Sequence, residues 1–254
     1  MLTRDYEAET KDRVEFIRGA LAASGAAGIV YANSGGKDCT LVGILCKKAC
    51  GNTLGLIMPC ASKRNYGEDK DDAEAIAAQF GIETRIVDLT GARDALAKSV
   101  SAAVSLSPGT TAPAGLSPGA LANIAPRLRM AALYAVSLNE SRLVAGTGNR
   151  SEGYMGYFTK WGDGAYDFNP IADLTVTEVY EFLRHLGVSG PVVEKAPSAG
   201  LYDGQTDEGD MGVAYASIDR FLLTGETCAR DMAVIERYHA ASEHKRNPPL
   251  IYGS

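Results

Sequence analysis

Residues 33 to 40 read Asn-Ser-Gly-Gly-Lys-Asp-Cys-Thr: two adjacent glycines among a hydroxyl, an ammonium, a carboxylate and a thiol. Placed between an apolar run and a helical pattern, such a stretch can cradle phosphate. Gly35 and Gly36 allow successive N–H groups to point at one anion. The helix that follows adds the positive end of its dipole. Ser34, Cys39 and Thr40 offer side-chain donors, and Lys37 offers a point charge. Asp38 repels phosphate oxygens unless a cation lies between them, a place that suits magnesium with its few carboxylates plus substrate phosphates. The same residues also read as a plain strand-to-helix turn, in which Gly-Gly ends the strand and Asp38 complements the helix dipole. The stretch is not a Walker A sequence, and Gly-Thr-Gly-Asn-Arg-Ser at 146–151 misses the dinucleotide fingerprint at Ser151.

The elements that must position these residues alternate. Val14, Ile17 and Leu21 predict an amphipathic N-terminal helix, and GIVYA (28–32) a strand. A helix is expected from Thr40 to Lys48, a second strand over 53–59, and a helix along Ala73, Ile76, Ala77 and Phe80 that stops at Gly81. A third strand at 84–89 precedes a helix over 92–104, and a helix over about 120–137 precedes a fourth strand at 142–146. This alternation predicts an α/β fold, a doubly wound and mainly parallel sheet with helices on both faces. Residues 105–119, rich in Pro, Gly, Ser and Thr, are expected to form a mobile surface loop. Residues 147–174 lack periodicity, and a loop that long in a compact domain is uncommon unless functional. Thr-Val-Thr-Glu at 175–178 is a capping-box start, and the helix it opens is expected to end at Gly187.

Composition narrows the partners. A chain of 254 residues, 46% hydrophobic and 22% charged, is ordinary for one globular domain. The net charge of −6 argues against nucleic-acid and anionic-membrane partners. The charged N-terminus lacks a signal-peptide core and no stretch is long and apolar enough to span a bilayer, so a cytoplasmic protein is expected. Five scattered cysteines (39, 46, 50, 60, 228) and three histidines distant from Cys46 and Cys50 predict reduced thiols and no zinc site.

With Cys39 replacing the usual hydroxyl, the first loop resembles the Ser-Gly-Gly-x-Asp-Ser/Thr pyrophosphate loop of ATP-pyrophosphatase enzymes. These enzymes split ATP into AMP and pyrophosphate while adenylating a substrate oxygen. NIAPRLRM (123–130), GTGNRSEGYMGYFTKWGDGAYDFNP (146–170), KAPSAGL (195–201), TDEGDMG (206–212) and EHKR (243–246) follow in order. Together they resemble the motif series of the ammonia-dependent NAD synthetases, over nearly the whole chain.

The resemblance implies a Rossmann-like ATP-pyrophosphatase fold, a homodimer, and synthesis of NAD from deamido-NAD, ATP and ammonia. It implies that residues Ala32, Asn33, Ser34, Gly35, Gly36, Lys37, Asp38 and Cys39 wrap ATP phosphates, that Thr147 and Ser198 touch ATP, and that Asp38 and Glu152 hold magnesium. Asn123, Arg127, Lys160, Asp167, His244 and Lys245 would bind deamido-NAD. Asp163 is the candidate for holding ammonium and taking its proton. Glutamine-using members carry an extra amidase domain for which 254 residues leave no room, so one domain using free ammonia, with an external source left open, is expected. Val176 stands where the family usually has a lysine on ATP phosphate, and Lys37 is expected to replace that charge. Pro126 is expected to start or kink its helix near Arg127. Two other readings compete: another adenylating enzyme of this loop type, acting on a carbonyl or a tRNA base, and a nucleotide-binding regulator that lost turnover.

Overall fold

The computed structural model describes residues 4–60, 66–105, 115–194 and 206–252. α1 (Tyr6–Ser24) opens on Asp5, whose carboxylate accepts the N–H groups of Glu7 and Ala8, and closes on Gly25 at φ 69°. β1 (Gly28–Ala32), α2 (Lys37–Ala49), β2 (Thr53–Ile57), α3 (Glu68–Gln79), β3 (Glu83–Ile86) and α4 (Thr90–Ser105) alternate after it. Then come α5 (Pro118–Ala122), α6 (Ile124–Glu140) and β4 (Arg142–Ala145). Among the described residues the helices that follow are α7 (Arg150–Met155), α8 (Val176–His185), α9 (Pro191–Glu194), α10 (Asp207–Met211), α11 (Tyr215–Thr224), α12 (Ala229–Ala241) and α13 (Glu243–Arg246).

The four strands are all parallel, in the order β3-β2-β1-β4. Side chains of β1 alternate between two cores, as the pleat requires. Ile29 and Tyr31 pack with α1, α2 and α8 on one face, while Val30 packs with Ala125 and Leu133 of α6 on the other. The sheet is therefore covered on both sides, as the α/β pattern predicts. A third cluster, built from Met155, Val176, Met211, Tyr215, Ile218 and Ile235, joins the C-terminal helices. α1 is tied to the approach to α8 by Arg13, which donates to Asp173 at 2.6 and 2.8 Å, and by Arg4, which donates to Glu178 at 2.7 Å.

Three local expectations change. α2 begins at Lys37 and not at Thr40, because Gly36 at φ −85° and ψ 168° already serves as its N-cap. The helix expected over 120–137 is two helices meeting at Asn123. Pro126 lies in the first turn of α6, where its missing N–H has no intrahelical partner to lose, so the helix starts before it. The long 147–174 segment contains α7, and it is laced to the sheet edge where Gly146 N–H donates to Phe168 O at 2.8 Å and Asp167 N–H to Val144 O at 2.9 Å. Residues 106–114 of the expected mobile loop lie outside the described residues.

Candidate active site

The chain leaves β1 toward β2 and β3 on one side and returns to β4 on the other, so a crevice opens between the loops after β1 and β4. In open parallel sheets this switch point is where ligands sit. A cleft of about 1220 Å³ occupies it. Its floor is the loop 32–36 and the first turn of α2. One wall is the 146–166 segment and the other comes from the end of β2 and α6. Gly35 takes φ +74°, which turns the loop back under the N-terminus of α2. Cys39 is buried, and its thiol donates to Gly36 O at 3.1 Å; burial pushes its pKa up, so it acts as packing and not as a nucleophile. Thr40 is buried outside the cleft lining, which removes it from the donor set.

Asp38 is the hub of the phosphate end. Its Oδ2 accepts Lys37 Nζ at 2.7 Å and its Oδ1 accepts Asn149 Nδ2 at 3.0 Å. Asn149 also caps α7: its Oδ1 accepts the Glu152 N–H at 3.0 Å, and Glu152 Oε2 accepts the Asn149 N–H at 3.1 Å. This capping box aims Glu152 at Asp38. Burial, and then the charge of Asp38, push the Glu152 carboxyl up to about 8, against the pull of Lys37 and the Asn149 N–H. Two carboxylates opposed in this way fit a magnesium ion, which Asp38 and Glu152 would hold and which would relieve their repulsion. Among the described residues no further His, Cys, Asp or Glu joins them in a metal-holding group.

Lys37 is buried beside this pair. Its Nζ lies 5.9 Å from the Tyr180 ring centroid and 5.7 Å from that of Tyr215. Burial opposes its charge, yet Asp38 and Glu152 hold the ammonium well above the ordinary lysine range. Tyr180 is one turn beyond Val176 on α8, so the ammonium of Lys37 lies beside the helix that carries Val176.

A second polar group lies at the α6 end of the cleft. Asp163 Oδ1 accepts the Thr159 N–H at 3.0 Å. The carboxylate is open to solvent but walled in by the cleft, and this crowding raises its pKa against the opposing pull of that N–H, Arg129 and Lys245. Lys245 Nζ donates to the carbonyls of Gly156 at 2.8 Å and Phe158 at 2.7 Å. Asn123 Oδ1 accepts Thr159 Oγ1 at 2.8 Å, which ties the turn carrying Asp163 to α6.

The cleft therefore gathers residues 32–39, Asn123, Thr147, Glu152, Asp163 and Lys245. Arg127, Lys160, Asp167 and His244 lie outside its lining, and Ser198 lies outside the described residues. Asp167 is engaged in the fold: Oδ2 accepts the Val144 N–H at 2.7 Å and Oδ1 accepts Tyr134 Oη at 3.1 Å. Lys160 Nζ donates to His244 O, so these two meet on the rim. Arg127 bonds its own helix, donating to Asn123 O at 3.2 Å, and adds to the positive field on Lys245. Sequence reading missed Asn149, Arg129, Tyr180 and Tyr215. The Asn-x-x-Glu spacing at 149–152 signals the first; the two tyrosines reach Lys37 only through tertiary packing.

Residues 9–249 match the model of the NAD synthase family. The chain belongs to that family. It is 44% identical to the NH(3)-dependent NAD(+) synthetase of Carboxydothermus hydrogenoformans over 97% of this chain and 98% of that protein. An NMN synthetase structure from Francisella tularensis superposes with a TM-score of 0.90 at 33% identity, covering 99% of this chain and 100% of that one. The NH3-dependent NAD synthetase of Campylobacter jejuni superposes with a TM-score of 0.75 at 29% identity, over 98% and 99% of the two chains. The family's parallel α/β architecture is the one described above.

Proposed function

We propose that this NAD synthase family member is an ammonia-dependent NAD synthetase. The observation that carries the reading is the pairing of Asp38 with Glu152 at a Gly35-built phosphate loop, in one cleft with Asp163. The nicotinate carboxylate of deamido-NAD attacks the α-phosphorus of ATP and pyrophosphate leaves. Ammonia then attacks the acyl carbon, AMP leaves with the former carboxylate oxygen, and NAD remains. The backbone N–H groups of 34–36, the α2 N-terminus and Lys37 receive the ATP phosphates, with Thr147 nearby; Arg127, Lys160 and His244, outside the cleft lining, complete the acceptor site. Magnesium held by Asp38 and Glu152 neutralises leaving-group charge when bound.

Asp163 draws in ammonium and takes its proton, a task helped by a carboxyl pKa above the ordinary value. Asp163→Asn is expected to lower kcat/KM for ammonium by about 10²-fold or more while ATP KM stays within about threefold; full activity at limiting ammonium would exclude the role. Lys37→Gln is expected to raise ATP KM by roughly 10-fold or more with ammonium KM unchanged, as loss of a buried charge-assisted contact implies. An unchanged ATP KM would show that Lys37 serves Asp38 alone.

Steady-state pyrophosphate release, over many turnovers, that requires both deamido-NAD and ammonium tests the function. Release with another acceptor would indicate a different adenylating ligase, and ATP binding without release a regulator. The superposition on an NMN synthetase supports a second reading, in which nicotinate mononucleotide replaces the dinucleotide. Arg127, Lys160 and His244, outside the cleft lining, would then contact no second nucleotide. Ratios of kcat/KM for the two acceptors in the same assay decide between them.

Among the described residues no helix is long and apolar enough to cross a membrane. A cytoplasmic homodimer is part of the proposal. Leu96 and Val104 on α4 and Leu138 on α6 leave apolar surface exposed on two helices that pack together, which a second copy would cover. A sedimentation mass of one chain would remove the dimer.

A further inference from the structure

The two arginines of α6 are separated by one residue and serve different places. Arg127 is exposed, whereas Arg129 is half-buried and lines the cleft. Arg129 Nε donates to Met58 O at the end of β2, at 3.1 Å, which fixes the plane of its guanidinium. The turn bearing Asp163 is fastened to the same helix. Thr159 bonds Asn123, and Gly162 approaches Pro126 so closely that a β-carbon there would lie 3.0 Å from the proline's. Arg129 and Asp163 thus line the same cleft and attract each other electrostatically.

That placement poses a charge problem for the reaction. The acyl substrate enters as a carboxylate, and Asp38 and Asp163 repel it. Arg129 and Lys245 are both set against Asp163, and of the two only Arg129 carries a guanidinium, which matches a carboxylate in charge and shape. The product amide is neutral at the same atoms and cannot repeat the charge-assisted contact.

We propose that Arg129 holds the nicotinate carboxylate of the acceptor nucleotide and sets the enzyme's preference for the acid over its amide product. The guanidinium is a positioning and specificity residue: it holds one carboxylate oxygen while the other attacks phosphorus, and it loosens when the carboxylate becomes an amide. This inference rests on the amidation reading.

Titration calorimetry tests it by comparing deamido-NAD with NAD, and nicotinate mononucleotide with NMN, each in the presence of a non-hydrolysable ATP analogue and magnesium. Arg129→Gln is expected to weaken the acid by about 10- to 100-fold, the range of a hydrogen bond to a charged group, and the amide by less than about threefold. Arg129→Lys keeps the charge and is expected to recover part of the acid preference. Unchanged thermal melts of both variants show that the cleft is intact. Equal weakening of acid and amide, or no weakening of the acid, overturns the inference, as does failure of Arg129→Lys to differ from Arg129→Gln. Amide formation by the unaltered enzyme is measured separately, so failure of the amidation reading is distinguishable from failure of the Arg129 assignment.

Discussion

Gly35→Ala is expected to remove ATP-dependent pyrophosphate release and to lower the melting temperature, whereas Gly36→Ala leaves the melt nearly unchanged. The two glycines are neighbours, but the backbone needs only the first for its shape. Gly35 sits at φ +74°, where a side chain costs about 1–2 kcal/mol. A β-carbon there would lie 2.3 Å from Asp69 O and 3.1 Å from Ala73 N. Both are backbone atoms of α3, so no side-chain rotation relieves the clash, and the loop and helix must separate. Gly36 has φ −85°, and its β-carbon would meet only Ser34 Oγ at 3.4 Å. The expected loss for Gly35→Ala is about 3 kcal/mol or more when strain and clash are combined, with turnover down about 10²-fold. Thermal melts and ATP titrations on both variants check the contrast; a Gly35→Ala protein with unaltered ATP KM would show that the loop does not shape the phosphate site.

This contrast shows what the sequence could and could not convey. A Gly-Gly pair after GIVYA announces a phosphate-compatible turn, but which glycine is indispensable depends on α3, a later helix packed against the loop. The strands were legible wherever their residues are buried: GIVYA forms β1 at the expected bounds, and β2 and β4 end only one or two residues early. β3 ends at Ile86, short of the expected residue 89, since an edge strand ends where its pairing ends and not where its apolar residues do. α7 was invisible because six residues make too few turns to display a helical period.

The site was legible in composition more than in placement. The β1 loop, Glu152 and Asp163 fall together because each belongs to a segment that the parallel sheet must bring to its carboxyl end. Arg127 illustrates the limit. Its helix was foreseen, yet a two-residue step along a helix turns about 200° around the axis, so the register decides which arginine faces the cleft. Arg129, and not Arg127, occupies the wall. The proximity of Lys37 to Tyr180 and Tyr215 had no local signature, because those rings arrive from α8 and α11.

Glu152→Gln is expected to disable the enzyme and, without magnesium, to stabilise the protein at alkaline pH. In the ligand-free fold, burial and the charge of Asp38 raise the Glu152 carboxyl from 4.5 to about 8. The folded state therefore binds a proton that the unfolded chain releases. Below about pH 4.5 both states are protonated and the group has no effect on stability. As pH rises from there to about 8 stability is lost, and above about 8 the loss is complete. Glutamine carries no charge at any pH and its amide oxygen still accepts the Asn149 N–H, so the capping box survives while the penalty disappears. At pH 9 the melting temperature of Glu152→Gln is expected to exceed the parent's by about 10 °C or more, at about 1.4 kcal/mol per pKa unit and 2–4 °C per kcal/mol for a chain of this size, and to match it near pH 4. Magnesium with an ATP analogue reverses the order, because only the carboxylate rewards the bound cation, and turnover falls by about 10²-fold or more as a leaving-group stabiliser is lost. Melts at pH 4 and pH 9, with and without magnesium and the analogue, check each limb. A destabilised variant at pH 9 without magnesium would mean that Lys37 compensates Glu152 fully, and the electrostatic opposition of Asp38 and Glu152 would then not be what the cation relieves.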